Sequence, residues 1–475
     1  MNKRSGRLNE VQPATVSLGS PDGRRATMNQ PRRMIPRRFF IETFGCQMNE
    51  HDSEKIAGLL SHRGMVPAQS AEEADLFILN TCSVREKAAQ KVYSRLGELK
   101  SRKRQSDRFI IGVVGCVAQQ EGAEMVRKAP FVDLVVGTHM YHSIPDLLDE
   151  IDSTGQGKVA TDFLPDQPPV EIASVTRQTN FRAAITIMEG CNKHCSFCIV
   201  PYTRGKERNR PARIILDEVR KAADQGFTEV LLLGQTVNSY RDPEHPRTRF
   251  ADLLGAVAQV PGIKRVRFTS PHPRAFDDRT IQVIAENPTI CDQVHLPLQS
   301  GSNRVLKRMR RQHTREWYLD LVEKFQSAER PIRLSTDVIV GFPGESDADF
   351  EQTLEIVKQV EFESMFSFKY SPRPFTEAST WEDDVPENEK ARRLMALQQL
   401  QRGIQLRLHR ERYLGRVFTL LVEGPARDGV NRCGRTTTNK IVNYPGNEEP
   451  GQSIDVRICA VGPNSLLGER VSNDQ

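Results

Sequence analysis

The chain has 475 residues, of which 38% are hydrophobic and 27% are charged. This length and composition predict about three packed domains and exclude a wholly disordered protein. No apolar run reaches the ~18 residues that cross a bilayer, so we expect no membrane association. The formal charge of +6 is concentrated in residues 1–38, where nine Lys and Arg stand against two acidic residues. The rest of the chain is close to neutral, so nucleic-acid binding requires local basic patches or this tail.

Three regions of different pattern follow a basic tail, residues 1–37, that we expect to be disordered. Between residues 38 and 150, apolar strand candidates alternate with helical segments, which predicts an open parallel α/β sheet. Residues 151–180 are polar and rich in Gly and Pro, which is typical of a linker. The predicted strands of the first region are Phe39–Phe44, Leu76–Thr81, Phe109–Gly115 and Val132–Gly137.

Strand–helix alternation resumes over residues 181–412. Six such units predict an incomplete (β/α)6 barrel, because the common closed barrel needs eight. Residues 413–475 change to short strands separated by turn residues, which predicts a small all-β module. The predicted barrel strands are Ala184–Met188, Glu229–Leu233, Lys264–Thr269, Gln293–Leu296, Arg333–Val340 and Met365–Tyr370.

Three cysteines stand together directly after the first barrel strand. Cys191, Cys195 and Cys198 have the spacing C-x3-C-x2-C within EGCNKHCSFCIVPYTRG. Three thiolates can hold a [4Fe–4S] cluster and leave its fourth iron open to a substrate or cofactor. A structural zinc site is the alternative, but it needs a fourth ligand, and His194 lies at an awkward offset between two cysteines. Free thiols are the third possibility. Nine cysteines without an export signal argue against a disulfide framework and predict a cytoplasmic protein.

With this motif after strand one of a six-unit barrel, the region resembles the radical S-adenosylmethionine superfamily. The resemblance implies that S-adenosylmethionine binds the open iron and is cleaved to a 5′-deoxyadenosyl radical, so the three cysteines would be catalytic as well as metal-binding. It places Phe197 near the adenine. Further cofactor contacts are expected from Gly234, Gln235, Gln299 and Asp337, which lie in or after later barrel strands. Packing or turn formation is the alternative for each of these residues.

Three further cysteines each follow a predicted strand of the N-terminal sheet: Cys46 in FGCQMN, Cys82 in NTCSVREKA and Cys116 in VGCVAQ. The carboxyl ends of parallel strands share one edge of a sheet, where ligands bind. We therefore expect the three thiols to converge despite their distance in sequence. The alternative is three cysteines buried in a core, which is a common environment for free Cys.

With these strings, residues 39–475 resemble the methylthiotransferases, and most closely the MiaB type that modifies tRNA. LLGQTVNSY and STDVIVGFPGE are further matching strings. The resemblance implies a second, auxiliary [4Fe–4S] cluster held by Cys46, Cys82 and Cys116, and a C-terminal TRAM module that binds RNA. The segment 371–376 (SPRPFT) stands where this family often has Arg-Pro-Gly-Thr, so the resemblance does not predict the conformation of the backbone there.

The reaction implied by the resemblance is methylthiolation of carbon 2 of N6-isopentenyladenosine next to the anticodon, with the auxiliary cluster as sulfur carrier. Carbon 2 carries no acidic proton, so acid–base catalysis cannot activate it and radical chemistry is needed. The resemblance also implies an electron donor such as flavodoxin or ferredoxin, and we expect a monomer. The alternatives are methylthiolation of threonylcarbamoyl-adenosine or of a ribosomal protein, and a non-catalytic Fe–S sensor that binds RNA.

Contacts to tRNA are predicted from position in the chain. Gln47 and Asn49 lie beside Cys46, where amide side chains can read a purine edge. Splayed loop bases are the usual target of sequence-specific RNA binding. Basic candidates for phosphate contact follow the cysteine loop (Arg204, Lys206, Arg208), form a second group (Lys307, Arg308, Arg310, Arg311) and recur in the C-terminal module with Asn439 (Arg432, Arg435, Lys440).

Overall fold

The computed structural model describes residues 38–83, 86–106, 108–164, 169–172 and 175–471. The tail predicted over residues 1–37 lies outside this range. The chain divides into two compact units, which meet in sequence at Thr176 and Arg177. Across the described residues, every helix is too short or too polar to traverse a lipid bilayer.

The first unit contains a six-stranded parallel sheet with the strand order β2-β1-β3-β4-β5-β6. Its two central strands, β3 and β4, are buried along their whole length. Strands covered on both faces read as continuous apolar runs, and this is the pattern of LFILNT and IIGVVG. The strands are β1 Arg38–Phe44, β2 Val66–Pro67, β3 Leu76–Thr81, β4 Ile110–Gly115, β5 Leu134–Val136 and β6 Lys158–Ala160. The helices are α1 Gln47–His62, α2 Glu86–Gln105, α3 Cys116–Glu121, α4 Ala123–Lys128 and α5 Ile144–Thr154.

The predicted open parallel sheet is confirmed, but the linker prediction over residues 151–180 is wrong at its start. Helix α5 continues to Thr154, and Gly155 ends it in the left-handed conformation. Strand β6 then pairs with β5 in parallel. A strand of three residues is too short to show a recognisable pattern in the sequence. Strand β6 forms because it pairs with β5 at the edge of the sheet.

The second unit contains six parallel barrel strands in two three-stranded sheets, β11-β10-β7 and β12-β13-β14. A parallel bridge pairs Val266 of β11 with Ile290, which precedes the first strand of the second sheet. Within the described residues β7 and β14 do not pair, so the barrel is incomplete, as predicted. The strands are β7 Arg182–Thr186, β8 Met188–Glu189, β9 Arg208–Asn209, β10 Glu229–Leu233, β11 Arg265–Phe268, β12 Gln293–His295, β13 Arg333–Val340 and β14 Ser364–Lys369. The helices are α6 Val200–Arg204, α7 Ala212–Asp224, α8 Phe250–Ala258, α9 Asp278–Glu286, α10 Asn303–Arg308, α11 Arg315–Gln326, α12 Asp347–Val360 and α13 Glu387–Arg412.

The C-terminal module is a closed five-stranded barrel with the order β15-β16-β17-β19-β18, which confirms the predicted all-β module. It contacts the amino ends of the large barrel's strands. Arg265, the first residue of β11, donates to the carbonyl of Thr419 at 2.9 Å, and Arg267 donates to that of Thr436 at 2.6 Å. The strands are β15 Val417–Pro425, β16 Arg432–Arg435, β17 Ile441–Tyr444, β18 Ser453–Val461 and β19 Leu466–Arg470.

Buried ion pairs strengthen this contact. Glu363 is almost fully buried and accepts from Arg412 at 2.6 Å and from Lys440 at 2.9 Å. Glu423 pairs with Arg182 and with Arg435. Lys440 and Arg435 were predicted to contact RNA. In the structure Arg435 pairs with Glu423 and Lys440 pairs with Glu363, at the junction between the module and the barrel. Arg435 is the last residue of β16 and Lys440 follows this strand, so both lie on that side of the module.

Candidate functional site

The cysteine loop, residues 190–199, begins at a glycine that no other residue can replace without a shift. Gly190 has φ +78°, and a Cβ built there would lie 2.0 Å from the carbonyl oxygen of Lys206. L-amino acids rarely adopt this conformation. The next residue, Cys191, donates its backbone N–H to the carbonyl of Gly205 at 3.0 Å. The start of the loop is therefore fixed against the segment before β9.

The middle of the loop is held by the end of α10. Ser196 donates its backbone N–H to the carbonyl of Met309 at 3.1 Å and its hydroxyl to that of Arg308 at 2.8 Å. Cys198 donates to the carbonyl of Cys195 at 3.1 Å, which turns the chain between these two ligands. These hydrogen bonds within the protein therefore hold the three cysteines in an ordered loop.

The three thiols are close enough to influence one another. Burial, together with the neighbouring Cys195 and Cys191, raises the pKa of Cys198 to about 12. Burial also raises the pKa of Cys191. Iron binds the thiolate, so loading this loop must displace protons.

The donor set of the cysteine loop distinguishes between the metals that the sequence predicts. Among the described residues, no three His, Cys, Asp or Glu side chains are grouped as a single metal ion would require. A four-iron cluster sets a different condition, because each thiolate binds a different iron of a larger group. Three thiols on one loop, with no carboxylate or imidazole among the described residues that completes a single-ion site, therefore suit an iron–sulfur cluster better than a mononuclear zinc site.

Arg311 lies at this loop, although sequence reasoning placed it only in a basic group. Its Nη1 donates to the sulfur of Cys195 at 3.5 Å, and its Nη2 donates to the carbonyl of Pro297 at 3.3 Å. Thr236 Oγ1 lies 4.0 Å from the sulfur of Cys191. Neither contact could be found from spacing, since the partners lie 116 and 45 residues apart.

The cofactor-pocket residues predicted after β10 support the cysteine loop. A Cβ at Gly234 would lie 2.6 Å from Cγ of Met188, so the chain passes too close for a side chain. The amide oxygen of Gln235 accepts from the backbone N–H of Gly190 at 2.5 Å. Both residues are thus next to the loop, and their role as cofactor ligands stays a prediction.

The other three cofactor candidates are also accounted for by local structure. Gln299 has φ +71°, and its N–H donates to the carbonyl of Asp337 at 2.8 Å. The Asp337 carboxylate lies 3.1 Å from Nε2 of His295. Phe197 packs edge-on against Phe342, with ring centroids 6.2 Å apart. These contacts agree with the packing alternative and leave the cofactor role a prediction.

The sheet-edge trio, Cys46, Cys82 and Cys116, follows three adjacent strands. The parallel register aligns Phe44 with Thr81 and Thr81 with Gly115. Cys82 and Cys116 therefore follow aligned residues directly, and Cys46 comes one residue later. Neighbouring strands lie about 4.8 Å apart. The structure thus brings the three cysteines to one sheet edge, where a cluster can bridge them; the ligand role itself stays a prediction.

A buried amide network lies under this trio, and sequence reasoning missed its centre, Asn80. Asn80 Nδ2 donates to the carbonyl of Asn49 at 2.7 Å and to the hydroxyl of Ser53 at 2.8 Å, while its Oδ1 accepts from the Asn49 amide at 3.1 Å. Asn49 Oδ1 also lies 3.3 Å from the sulfur of Cys46. The NTC string contained Asn80, but nothing in it indicated the partners.

The predicted substrate contacts differ in how well the structure supports them. Asn49 is fully buried and its amide is used by Asn80, so reading a purine edge is not its role. Arg204 and Arg208 are buried, and Arg208 pairs with Glu189 at 2.7 Å, so neither presents its charge to phosphate. Gln47 and Lys206 are exposed.

All three regions of the chain match known families. The chain matches the Radical SAM superfamily over residues 185–357, the Uncharacterized protein family UPF0004 over 38–137 and the TRAM domain over 411–471. It is 46% identical to the tRNA-2-methylthio-N(6)-dimethylallyladenosine synthase of Solibacter usitatus, covering 91% of this chain and 97% of that protein. The synthase of the same name from Clostridium botulinum strain Loch Maree is 44% identical over the same shares. The chain belongs to this synthase family.

The solved structures agree with this assignment at the level of the fold. The radical S-adenosylmethionine methyltransferase TsrM of Kitasatospora setae, with cobalamin and a [4Fe–4S] cluster bound, superimposes with a TM-score of 0.53. It is 16% identical and covers 72% of this chain and 74% of that one. The synthase family assignment therefore rests on sequence, and the fold is that of radical S-adenosylmethionine enzymes.

Proposed function

We propose that the chain replaces the hydrogen on carbon 2 of N6-isopentenyladenosine in tRNA with a methylthio group. The observation that carries the proposal is the identity of 44–46% to synthases of that name over 91% of the chain. The two cysteine trios on separate scaffolds and the TRAM module support it. The alternatives that act on threonylcarbamoyl-adenosine or on a ribosomal protein are not favoured.

Cys191, Cys195 and Cys198 would hold one [4Fe–4S] cluster. Such a cluster would supply the electron that cleaves bound S-adenosylmethionine, and the radical from that cleavage would remove hydrogen from an unreactive C–H bond. The chain contributes fixed ligands: Gly190 and Ser196 anchor the loop, and Arg311 donates to one thiol. A hydrogen bond from a cationic side chain offsets the negative charge of a thiolate in a buried site.

Cys46, Cys82 and Cys116 would hold the auxiliary cluster that carries sulfur. Asn49 and Asn80 hold the sheet edge beneath these thiols, and Gln47 stands exposed beside Cys46. Gln47 and Lys206 are the proposed substrate contacts near the two cysteine sites, and the TRAM module binds the RNA. An electron donor such as flavodoxin or ferredoxin, a monomeric state and a cytoplasmic location complete the proposal.

Nucleoside mass spectrometry tests the reaction directly. Full-length protein is loaded with iron and sulfide without oxygen, then incubated with dithionite, S-adenosylmethionine and tRNA containing isopentenyladenosine. The expected product is 2-methylthio-isopentenyladenosine. A product on threonylcarbamoyl-adenosine alone, or tRNA binding without S-adenosylmethionine cleavage, would overturn the proposal in favour of an alternative.

A further inference from the structure

Two exposed aromatic residues follow the strands on either side of the open seam between β7 and β14. Tyr202 lies in α6, directly after the cysteine loop that follows β7, and is 44% exposed. Phe375 lies in the segment after β14 and is 61% exposed. Their ring centroids are 6.1 Å apart, and their planes are inclined by 36°. We call this pair the aromatic platform.

The backbone of Phe375 has a conformation that a bulky residue seldom adopts. Its φ is +68°, in the left-handed region that favours glycine, and Phe375 stands where the Arg-Pro-Gly-Thr of the family has its glycine. No other aromatic residue in the described part of the chain has a positive φ. Backbone strain of this kind is concentrated at functional sites. The exposed ring gains little from burial, so packing does not explain why a Phe is held here.

The segment that carries Phe375 is fixed to the cysteine loop. Thr376 donates its backbone N–H and its hydroxyl to the carbonyl of Arg373, at 3.2 and 2.7 Å. Ala378 donates its backbone N–H to the carbonyl of Ser196, in the middle of the loop, at 2.8 Å. The aromatic platform is therefore held in a fixed position relative to the three cysteines.

Exposed aromatic faces beside a site that acts on RNA suit an unpaired base. Bases of single-stranded RNA stack on aromatic side chains, whatever their sequence. The adenosine that reacts must leave its stack to reach the cysteine loop, which also exposes the faces of the nucleotides beside it. A base between the two rings would need centroids about 7 Å apart, which is two contacts of about 3.5 Å. Because the centroids are 6.1 Å apart, a base can stack only on an outer face.

We propose that the aromatic platform stacks on the base of a nucleotide adjacent to the modified adenosine. Phe375 supplies the exposed face and Tyr202 supports its ring. Lys206, which is exposed two residues after α6, offers a cation to the adjoining phosphate. This inference rests on the proposed function, which brings an RNA base to the cysteine loop. It adds a contact that holds the flanking nucleotide by stacking, without a hydrogen bond to its edge.

The test measures how tightly a tRNA anticodon stem-loop that contains isopentenyladenosine binds to full-length, cluster-loaded protein. Phe375→Gly removes the ring and suits the left-handed backbone. The melting temperature should therefore be at least that of the unmodified protein, while the Kd rises about tenfold. Phe375→Trp keeps an aromatic face and should bind within about twofold of the unmodified protein. Met395→Ala removes another exposed apolar side chain, on α13, and as the control should leave the Kd unchanged.

An abasic nucleotide on either side of the isopentenyladenosine identifies the base that is bound. On one of the two sides, removal of the base should weaken binding to the unmodified protein about tenfold. The same stem-loop should lose less than about twofold with Phe375→Gly, because the contact that the base makes is already absent. Such a failure of additivity is the sign of a direct interaction between the two groups.

Four results would overturn the inference. Phe375→Gly could bind the stem-loop as the unmodified protein does, or the abasic losses could be the same in both proteins. A melting temperature that falls together with RNA binding would make Phe375 a packing residue. A loss of affinity that disappears when the stem-loop lacks the isopentenyl group would assign the platform to the modified base itself. Failure of the proposed function is separate, because the unmodified protein would then bind the stem-loop and form no methylthio product.

Discussion

The cysteine loop and the sheet-edge trio differ in how far their ligands are spread along the chain. Three cysteines within eight residues need only a turn, a glycine at 190 and anchoring bonds from α10. Cys46, Cys82 and Cys116 need three parallel strands in correct register and the Asn80 network beneath them. The first site is local, and the second exists only when its whole sheet is folded.

This difference predicts that a ligand change in the loop affects chemistry much more than stability. Cys195→Ala is expected to abolish S-adenosylmethionine cleavage and methylthiolation, while the melting temperature of the metal-free protein changes little. Cleavage assays and thermal unfolding measure the two effects. Cys459→Ala, an exposed cysteine outside both sites, is the matched control and should retain full cleavage. Residual cleavage above about one percent of the unmodified rate in Cys195→Ala would contradict the assignment.

For the sheet-edge trio, we expect a substitution outside the three cysteines to lower the stability of the protein as well as to disturb the site. Asn80→Leu leaves the buried Asn49 amide without its acceptor and removes one of the two partners of the Ser53 hydroxyl, which keeps Thr43. We expect a cost of roughly 2 kcal/mol of unfolding free energy. We expect the auxiliary cluster to be lost, while S-adenosylmethionine cleavage at the loop persists. Iron content, denaturant unfolding and cleavage are measured together. Full iron content with normal stability would mean that the network does not support the site.

Glu423 sharpens the comparison, because it belongs to neither trio and stabilises the contact between the TRAM module and the barrel. Its pKa is lowered to about 2: burial alone would raise it, but Arg435 and Arg182 more than compensate. A lowered pKa gives stability above the unfolded value near 4.5 that is lost as the pH falls towards 2, roughly 3 kcal/mol in all. Glu423→Gln should remove most of this pH dependence. Unfolding of both proteins between pH 5 and pH 3 measures it, and identical curves would exclude the ion pair as the cause.

The sequence was sufficient for features carried by local pattern. Buried apolar runs predicted β3 and β4, and the strand-end positions predicted that Cys46, Cys82 and Cys116 share one edge. Side-chain pairing across long distances was not predictable. Asn80 and Arg311 act through partners that no spacing indicates, and β6 is too short to show a pattern.

The basic residues show the same limit of prediction from sequence. A count of Arg and Lys treats Arg208, Arg435 and Lys440 as free charges for RNA. In the fold each is paired with a carboxylate, namely Glu189, Glu423 and Glu363. Lys206, by contrast, is exposed. Which charge is available therefore depends on packing that only the folded chain defines.

Iron counting tests most directly whether the two trios are two independent cluster sites. Protein loaded without oxygen is compared with the Cys46→Ala/Cys82→Ala/Cys116→Ala triple variant, using chemical analysis for iron and sulfide. Two cubanes predict roughly eight irons per unmodified chain and about four in the triple variant, which should still bind S-adenosylmethionine. Equal iron in both proteins, or an unmodified chain that never holds more than about four, would contradict the account.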